Sequence, residues 1–197
     1  MTAPIRVTRA GIERWLVDLP HPELIRARDR FRARRRMALA VEDFAHDETW
    51  PLVERVLVLA RLLRELDPDR AYLLAFDCAE SLVDVLPEGD QDYFLALCAL
   101  GREIVLGVRP GETLDDVWNL AMSAWSRETP VEDAVWTSLL DATGSVICAA
   151  EMEEVAEVDA EVAERARRET LQRLVAWLGS PFHATNRKHS RRDDVPI

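Results

Sequence analysis

The chain has 197 residues, of which 48% are apolar and 31% charged, and its net charge is −11. That is enough apolar content for a sizeable core and too much for a wholly disordered chain. No apolar run approaches a membrane span and the first residues lack an apolar signal core, so a cytoplasmic protein with no membrane partner is expected.

Charge is unevenly spread. Residues 1–36 hold ten Arg against four acidic residues, giving +6, and the remainder holds fifteen basic against thirty-two acidic residues, giving −17. An acidic body repels nucleic acid and anionic lipid over most of its surface and suits a basic protein partner. Cys78, Cys98 and Cys148 are odd in number and widely spaced, which fits reduced core thiols better than disulfides. Seven glycines are few, and favour helices joined by short polar turns over hairpins.

Thr8 to Leu19 reads as a first helix with Ile12, Trp15, Leu16 and Leu19 on one side, broken by Pro20-His21-Pro22. A second is expected from Pro22 to about Ala45, with a narrow stripe of Leu24, Ala27, Phe31, Ala38, Val41 and Ala45. Asp47 or Thr49 can cap a third with Pro51 near its start, apolar over more than half its circumference from Leu52 to Leu66 and therefore central. Asp67-Pro68-Asp69 is a turn and cap. The fourth helix follows it, with Leu73, Phe76, Ala79, Leu82, Val83 and Leu86 facing inward.

After Pro87-Glu88-Gly89-Asp90, a fifth helix carries Tyr93, Leu97, Leu100, Ile104 and Leu106. Thr113 caps a sixth, with Val117, Leu120, Ala121, Ala124 and Trp125 inward. Thr129, Pro130 and Glu132 start another, whose pattern runs through Gly144 to Ala149. The last long amphipathic helix spans Glu151 to Leu178, where Gly179 offers a left-handed cap and Pro181 forbids continuation. Leu57, Leu63, Phe76, Leu97, Leu139 and Leu174 sit at the centres of their stripes and are the predicted core.

The expected fold class is all-α, a single-domain antiparallel multi-helix bundle or short helical stack over residues 1–182. Within it, residues 1–46 are Arg-rich N-terminal helices and 47–182 an acidic body, followed by a flexible basic tail at 183–197.

Thr170-Leu171-Gln172-Arg173-Leu174 through Gly179-Ser180-Pro181-Phe182 resembles the end of an uncharacterised bacterial all-helical family, whose chains close with a Leu-rich helix and Gly-Asn-Pro-Phe. Val117-Trp118 to Ala124-Trp125 is similar to that family's Ala-rich helix with scattered Trp, and Arg34-Arg35-Arg36-Met37-Ala38-Leu39 to its Arg-rich early helix. The likeness covers about a third of the chain. Ser180 stands where the family has Asn, and Val41-Glu42-Asp43 where it has paired cysteines. The resemblance implies an all-helical fold and carries no activity.

Arg26, Arg28, Arg30, Arg32, Arg34, Arg35 and Arg36 could neutralise several phosphates. No aromatic interleaving or nucleic-acid motif accompanies them, so a solvated helix held against the acidic body is the better reading. Glu42 and His46 are one turn apart near Asp47 and Glu54, yet two ligands do not close a metal site, and exposed helix-end polarity is preferred.

Glu151-x-x-Glu154 matches half of the all-α nucleotide pyrophosphohydrolase pattern, which needs a second acidic pair such as Asp115/Asp116 or Glu132/Asp133 to hold Mg²⁺. The pairs Glu161–Arg165, Glu164–Arg168 and Glu169–Arg173 favour an ordinary charged face. No nucleophile elbow, phosphate loop or dinucleotide fingerprint is present. Of six tryptophans, Trp118 and Trp125 share a face, and one left at the surface would mark a partner groove.

The expected function is a non-catalytic acidic module that binds or neutralises a basic protein partner, with Glu151, Glu154, Glu157 and Glu161 as its contact surface and no cofactor or metal. The alternatives are a nucleic-acid binder using Arg26–Arg36 and the basic tail, and a Mg-dependent nucleotide phosphohydrolase.

Overall fold

The computed structural model describes residues 5–8, 10–12, 38–125, 129–144 and 160–179. The fold is a helical bundle with one small two-stranded sheet. Its elements are β1 (Arg6–Thr8), β2 (Ala38–Ala40), α1 (Val41–Ala45), α2 (Leu52–Leu66), α3 (Pro68–Glu80), a 3-10 turn (Val83–Val85), α4 (Glu88–Val105), α5 (Leu114–Ala124), α6 (Pro130–Thr143) and α7 (Ala160–Gly179).

The strands correct the sequence reading, which placed Ala38–Ala40 inside a helix running to Ala45. β1 and β2 pair antiparallel with Val7 opposite Leu39, and both side chains are buried. Ala-Leu-Ala has no strand preference of its own, so a partner more than thirty positions away overrides local propensity. Helix resumes at Val41, directly after β2. Thr8, expected to open the first helix, ends β1 instead, and its Oγ1 accepts from the Gly11 N–H at 3.0 Å.

Local caps set several of the other boundaries. Asp67 accepts from the Arg70 N–H at 3.2 Å with Pro68 in the first turn of α3, and Thr129 accepts from the Glu132 N–H at 3.2 Å ahead of Pro130 in α6. α4 ends in a Schellman motif. Gly107 adopts φ 72°, its N–H donates to Ile104, and the Val108 N–H donates to Glu103, both at 2.9 Å.

Two glycines depart from expectation. Gly144 is not within a helix but caps the end of α6, and Gly179 closes α7 without a positive φ. The left-handed conformation assigned to Gly179 is therefore not adopted, and among the described residues a Cβ there would meet Glu42 Oε1 at 3.8 Å.

α2 and α3 lie centrally. α2 packs on α7, α3 and α1; α3 packs on α4, α6, α2 and α7; α5 reaches the body through α6 and α4. One buried cluster runs through these helices and contains all six predicted core residues, Leu57, Leu63, Phe76, Leu97, Leu139 and Leu174. At its centre Phe94 meets Trp136 edge to face, with centroids 5.4 Å apart, and at the α1 end Phe44 tilts against Trp50 at 5.3 Å.

Polar links tie distant segments. Arg102 of α4 bridges Asp77 (2.7 Å) and Glu80 of α3. Arg173 of α7 donates to the Asp77 carbonyl at 2.7 Å, and the Arg70 guanidinium lies 5.6 Å from the centre of the Trp177 ring.

Cys78 and Cys98 are free and buried, as a core-thiol reading requires. Burial pushes both thiols up, Cys98 to about 12. A raised thiol stays protonated in the folded state, so its contribution to stability is complete below pH 9 and lost as pH climbs towards 12. Cys98 should therefore react with a disulfide reagent at pH 8 only as fast as the protein opens. In a Cys78→Ser/Cys148→Ser background, equal rates with and without guanidinium would show that Cys98 is accessible.

Candidate interaction surface

The helix at the edge of the bundle is the one least absorbed by the core. α5 begins at Thr113, whose N–H (2.7 Å) and Oγ1 (3.0 Å) both donate to Asp116 Oδ2. These two bonds hold the Asp116 carboxyl below the usual carboxylate range. The preceding turn is set by Gly107 and by Gly111 at φ 101°, a conformation that side chains with a Cβ rarely adopt. From this start α5 turns Val117 and Ala121 into the contact with α4 and α6, and both are fully buried.

The opposite side faces solvent. Trp118 is 42% exposed and Met122, one turn on, is 37% exposed. Asp115 lies on the same flank. Leu120 is exposed on the other flank beside Asp116, and the α4–α5 turn adds Leu106 at 54% and Val108 at 62%. Scattered exposed apolar residues are ordinary, but these five lie within seventeen consecutive residues. Leu106 and Leu120 were predicted to face inward, as was Tyr93 of α4, which is also exposed. α4 instead buries Phe94, Leu97, Cys98 and Gly101, a stripe rotated from the one that its largest residues suggest.

The edge is also strongly acidic. Residues 84–125 contain eight acidic residues and two arginines. Both arginines are satisfied locally, Arg102 by Asp77 and Glu80, and Arg109 by Glu103 at 2.6 Å and Glu112 at 3.8 Å. Asp84 lies in the 3-10 turn, Glu88, Asp90 and Asp92 in the first turns of α4, and Asp115 and Asp116 in the first turn of α5 beside Trp118 and Leu120. Such a surface can accept an apolar anchor within a basic rim.

A concavity of about 450 Å³ lies between the α1–α2 connection and α7. His46, Arg55, Glu164, Arg168 and Gln172 line it above Leu52, Leu171 and Val175. Several of its polar groups are already engaged. His46 Nδ1 lies 2.8 Å from the Glu42 carbonyl, Arg55 donates to the Ala45 carbonyl at 2.5 Å, and Arg168 pairs with Glu164 at 2.9 Å. The Glu164–Arg168 pair is the helix-face contact expected from spacing.

Glu54, read as exposed helix-end polarity, is 1% exposed. It sits in the first turn of α2, where free backbone N–H groups favour a carboxylate, on a helix packed from several sides. No three His, Cys, Asp or Glu side chains converge as a metal site among the described residues.

Arg26, Arg28, Arg30, Arg32, Arg34, Arg35 and Arg36 lie outside the described residues, as do Glu151, Glu154 and Glu157. Glu161 falls within α7, but its side chain is not described. None of these sequence-chosen contact residues has a described side chain; among the described residues Trp118 lies at the surface. The clue was the pair of tryptophans seven apart, whose flank is settled only by what α4 and α6 cover.

No family model, no curated protein and no solved structure matches the chain. No helix among the described residues is long and apolar enough to cross a membrane.

Proposed function

We propose that the protein is a non-catalytic interaction module that docks a basic protein partner on its acidic α4–α5 edge. The observation that carries this reading is solvent-facing Trp118 and Met122 on one flank of α5 with Asp115, in a segment whose arginines are already paired. Tryptophan is enriched among residues that dominate binding energy, and the Asp115 carboxylate on its flank, in an acidic segment, favours a cationic rim. The acidic run Glu151–Glu161 adds to the same long-range field.

The full chain, immobilised and exposed to an extract of its own host, should retain a basic protein. That protein, purified, should bind more weakly to Trp118→Ala by about 2 kcal/mol, roughly thirty-fold, as at other interface anchors. Affinity should also fall as salt rises. Unchanged affinity in Trp118→Ala, or a retained partner that is itself acidic, would refute the reading.

A further inference from the structure

The concavity between the α1–α2 connection and α7 is built by two helix faces. Leu52 and Arg55 are three residues apart on α2, and Glu164, Arg168, Leu171 and Val175 recur at three- and four-residue steps on α7, so each set shares one face. Leu52, Leu171 and Val175 are half-buried there and form an apolar floor. The volume, about 450 Å³, lies in the range of small-molecule sites, which combine an apolar lining with a few polar groups.

The two arginines that line it differ in how their charge is met. Arg168 is exposed and donates to Glu164 Oε1 from Nε at 3.1 Å and from Nη2 at 2.9 Å. Arg55 is half-buried, and its Nη1 donates to a neutral acceptor, the Ala45 carbonyl, at 2.5 Å. Its Nε is buried without a hydrogen-bond partner, and no carboxylate among the described residues pairs with its guanidinium. In a chain with 36 acidic residues, a partly desolvated arginine left without a carboxylate is unexpected. Such a cation carries a desolvation cost that a bound anion offsets.

The rest of the lining selects the anion. Glu48 and Glu164 also border the concavity, so a dianion such as a phosphate monoester meets two carboxylates for one uncompensated positive charge. A single negative charge is what Arg55 can neutralise, and a planar guanidinium suits a planar carboxylate. The floor of Leu52, Leu171 and Val175 then takes a short apolar body.

We infer that this concavity binds a small amphiphilic monocarboxylate, such as a medium-chain fatty acid, with its carboxylate towards Arg55 and its chain along Leu52, Leu171 and Val175. The site is formed by α2, α7 and the α1–α2 connection, whereas the docking edge is formed by α4 and α5, so each reading stands without the other.

Isothermal titration calorimetry of the full chain with octanoate tests this, with octanol, octylamine and octyl phosphate as probes of the head group. Octanoate should bind one to one with a Kd below about 1 mM, and the other three should bind about tenfold more weakly or worse. Arg55→Met keeps an apolar stem without the charge and should weaken octanoate by about tenfold or more. Gln172 lies at the mouth and is exposed, so changes there leave the fold intact. Gln172→Glu should weaken octanoate and Gln172→Arg strengthen it, each by about two- to fivefold, the range for a solvated charge pair.

A thermal melt matching the parent's establishes that Arg55→Met is folded; if it melts early through loss of the Ala45 contact, the two Gln172 variants decide. Absence of saturable octanoate binding to the parent overturns the inference. Octanol binding as tightly as octanoate overturns it too, since that would be apolar adsorption alone, as does octyl phosphate binding more tightly. Affinity unmoved in a folded Arg55→Met, or in both Gln172 variants, would place the ligand elsewhere and equally overturn it.

Discussion

Trp136→Ala should destabilise the protein by about 3–5 kcal/mol, the range for removing a large aromatic side chain from a core. Trp136 is 2% exposed and sits on α6, its ring edge to face with Phe94 of α4. It thus joins α6 to α4, the two helices against which α5 packs. Its loss removes transfer free energy, leaves a cavity too enclosed to collapse, and deletes an aromatic pair worth about 0.5–1.5 kcal/mol beyond its buried area. Chemical denaturation should show the midpoint falling with little change in slope. A variant that unfolds with the parent would mean that α6 does not pack as described.

Gly101→Ala should also destabilise, by about 1–3 kcal/mol, although alanine is the better helix former. Gly101 lies in the middle of α4, and an added Cβ would fall 2.2–2.7 Å from three atoms of the Phe76 ring. Phe76 is fully buried and cannot swing away without disturbing α3. Gly89→Ala is the internal control. It lies in the same helix with nothing within 4 Å, so alanine there should stabilise by up to about 1 kcal/mol. Opposite signs for the two substitutions are the expected result of equilibrium unfolding. Equal signs would mean that α3 and α4 are not in close contact at Gly101.

The same glycine shows where sequence reading succeeds and where it stops. Stripes such as those through Leu57, Leu63 and Leu139 are legible because burial follows helical period when a helix is packed on a wide face. Asp67 with Pro68 and Thr129 with Pro130 mark helix starts because their chemistry is local. α4 resists the same treatment. Its inner face runs through Phe94, Leu97, Cys98 and Gly101, and a glycine counts as apolar lining only once Phe76 is known to fill the space above it. Tyr93 is bulkier than its surroundings and draws the reading one position off.

The strand at Ala38–Ala40 is invisible for a related reason. Its determinant is Val7, across the register from Leu39 and far away in sequence. The candidate surface was half legible. Acidity and the Trp118/Trp125 pair are written in the chain, but which tryptophan faces out depends on Val117 and Ala121 being claimed by α4 and α6.

The docking of a basic partner on the α5 edge is tested most directly at the tryptophan side chains. The indole N–H signals can be followed by nitrogen–proton correlation spectroscopy of the full chain as the retained basic protein is added. Trp118, exposed on α5, should shift or broaden in step with binding, while Trp136, buried between α4 and α6, should keep its position. Binding that leaves the Trp118 signal unmoved would contradict the account and place the partner on another face.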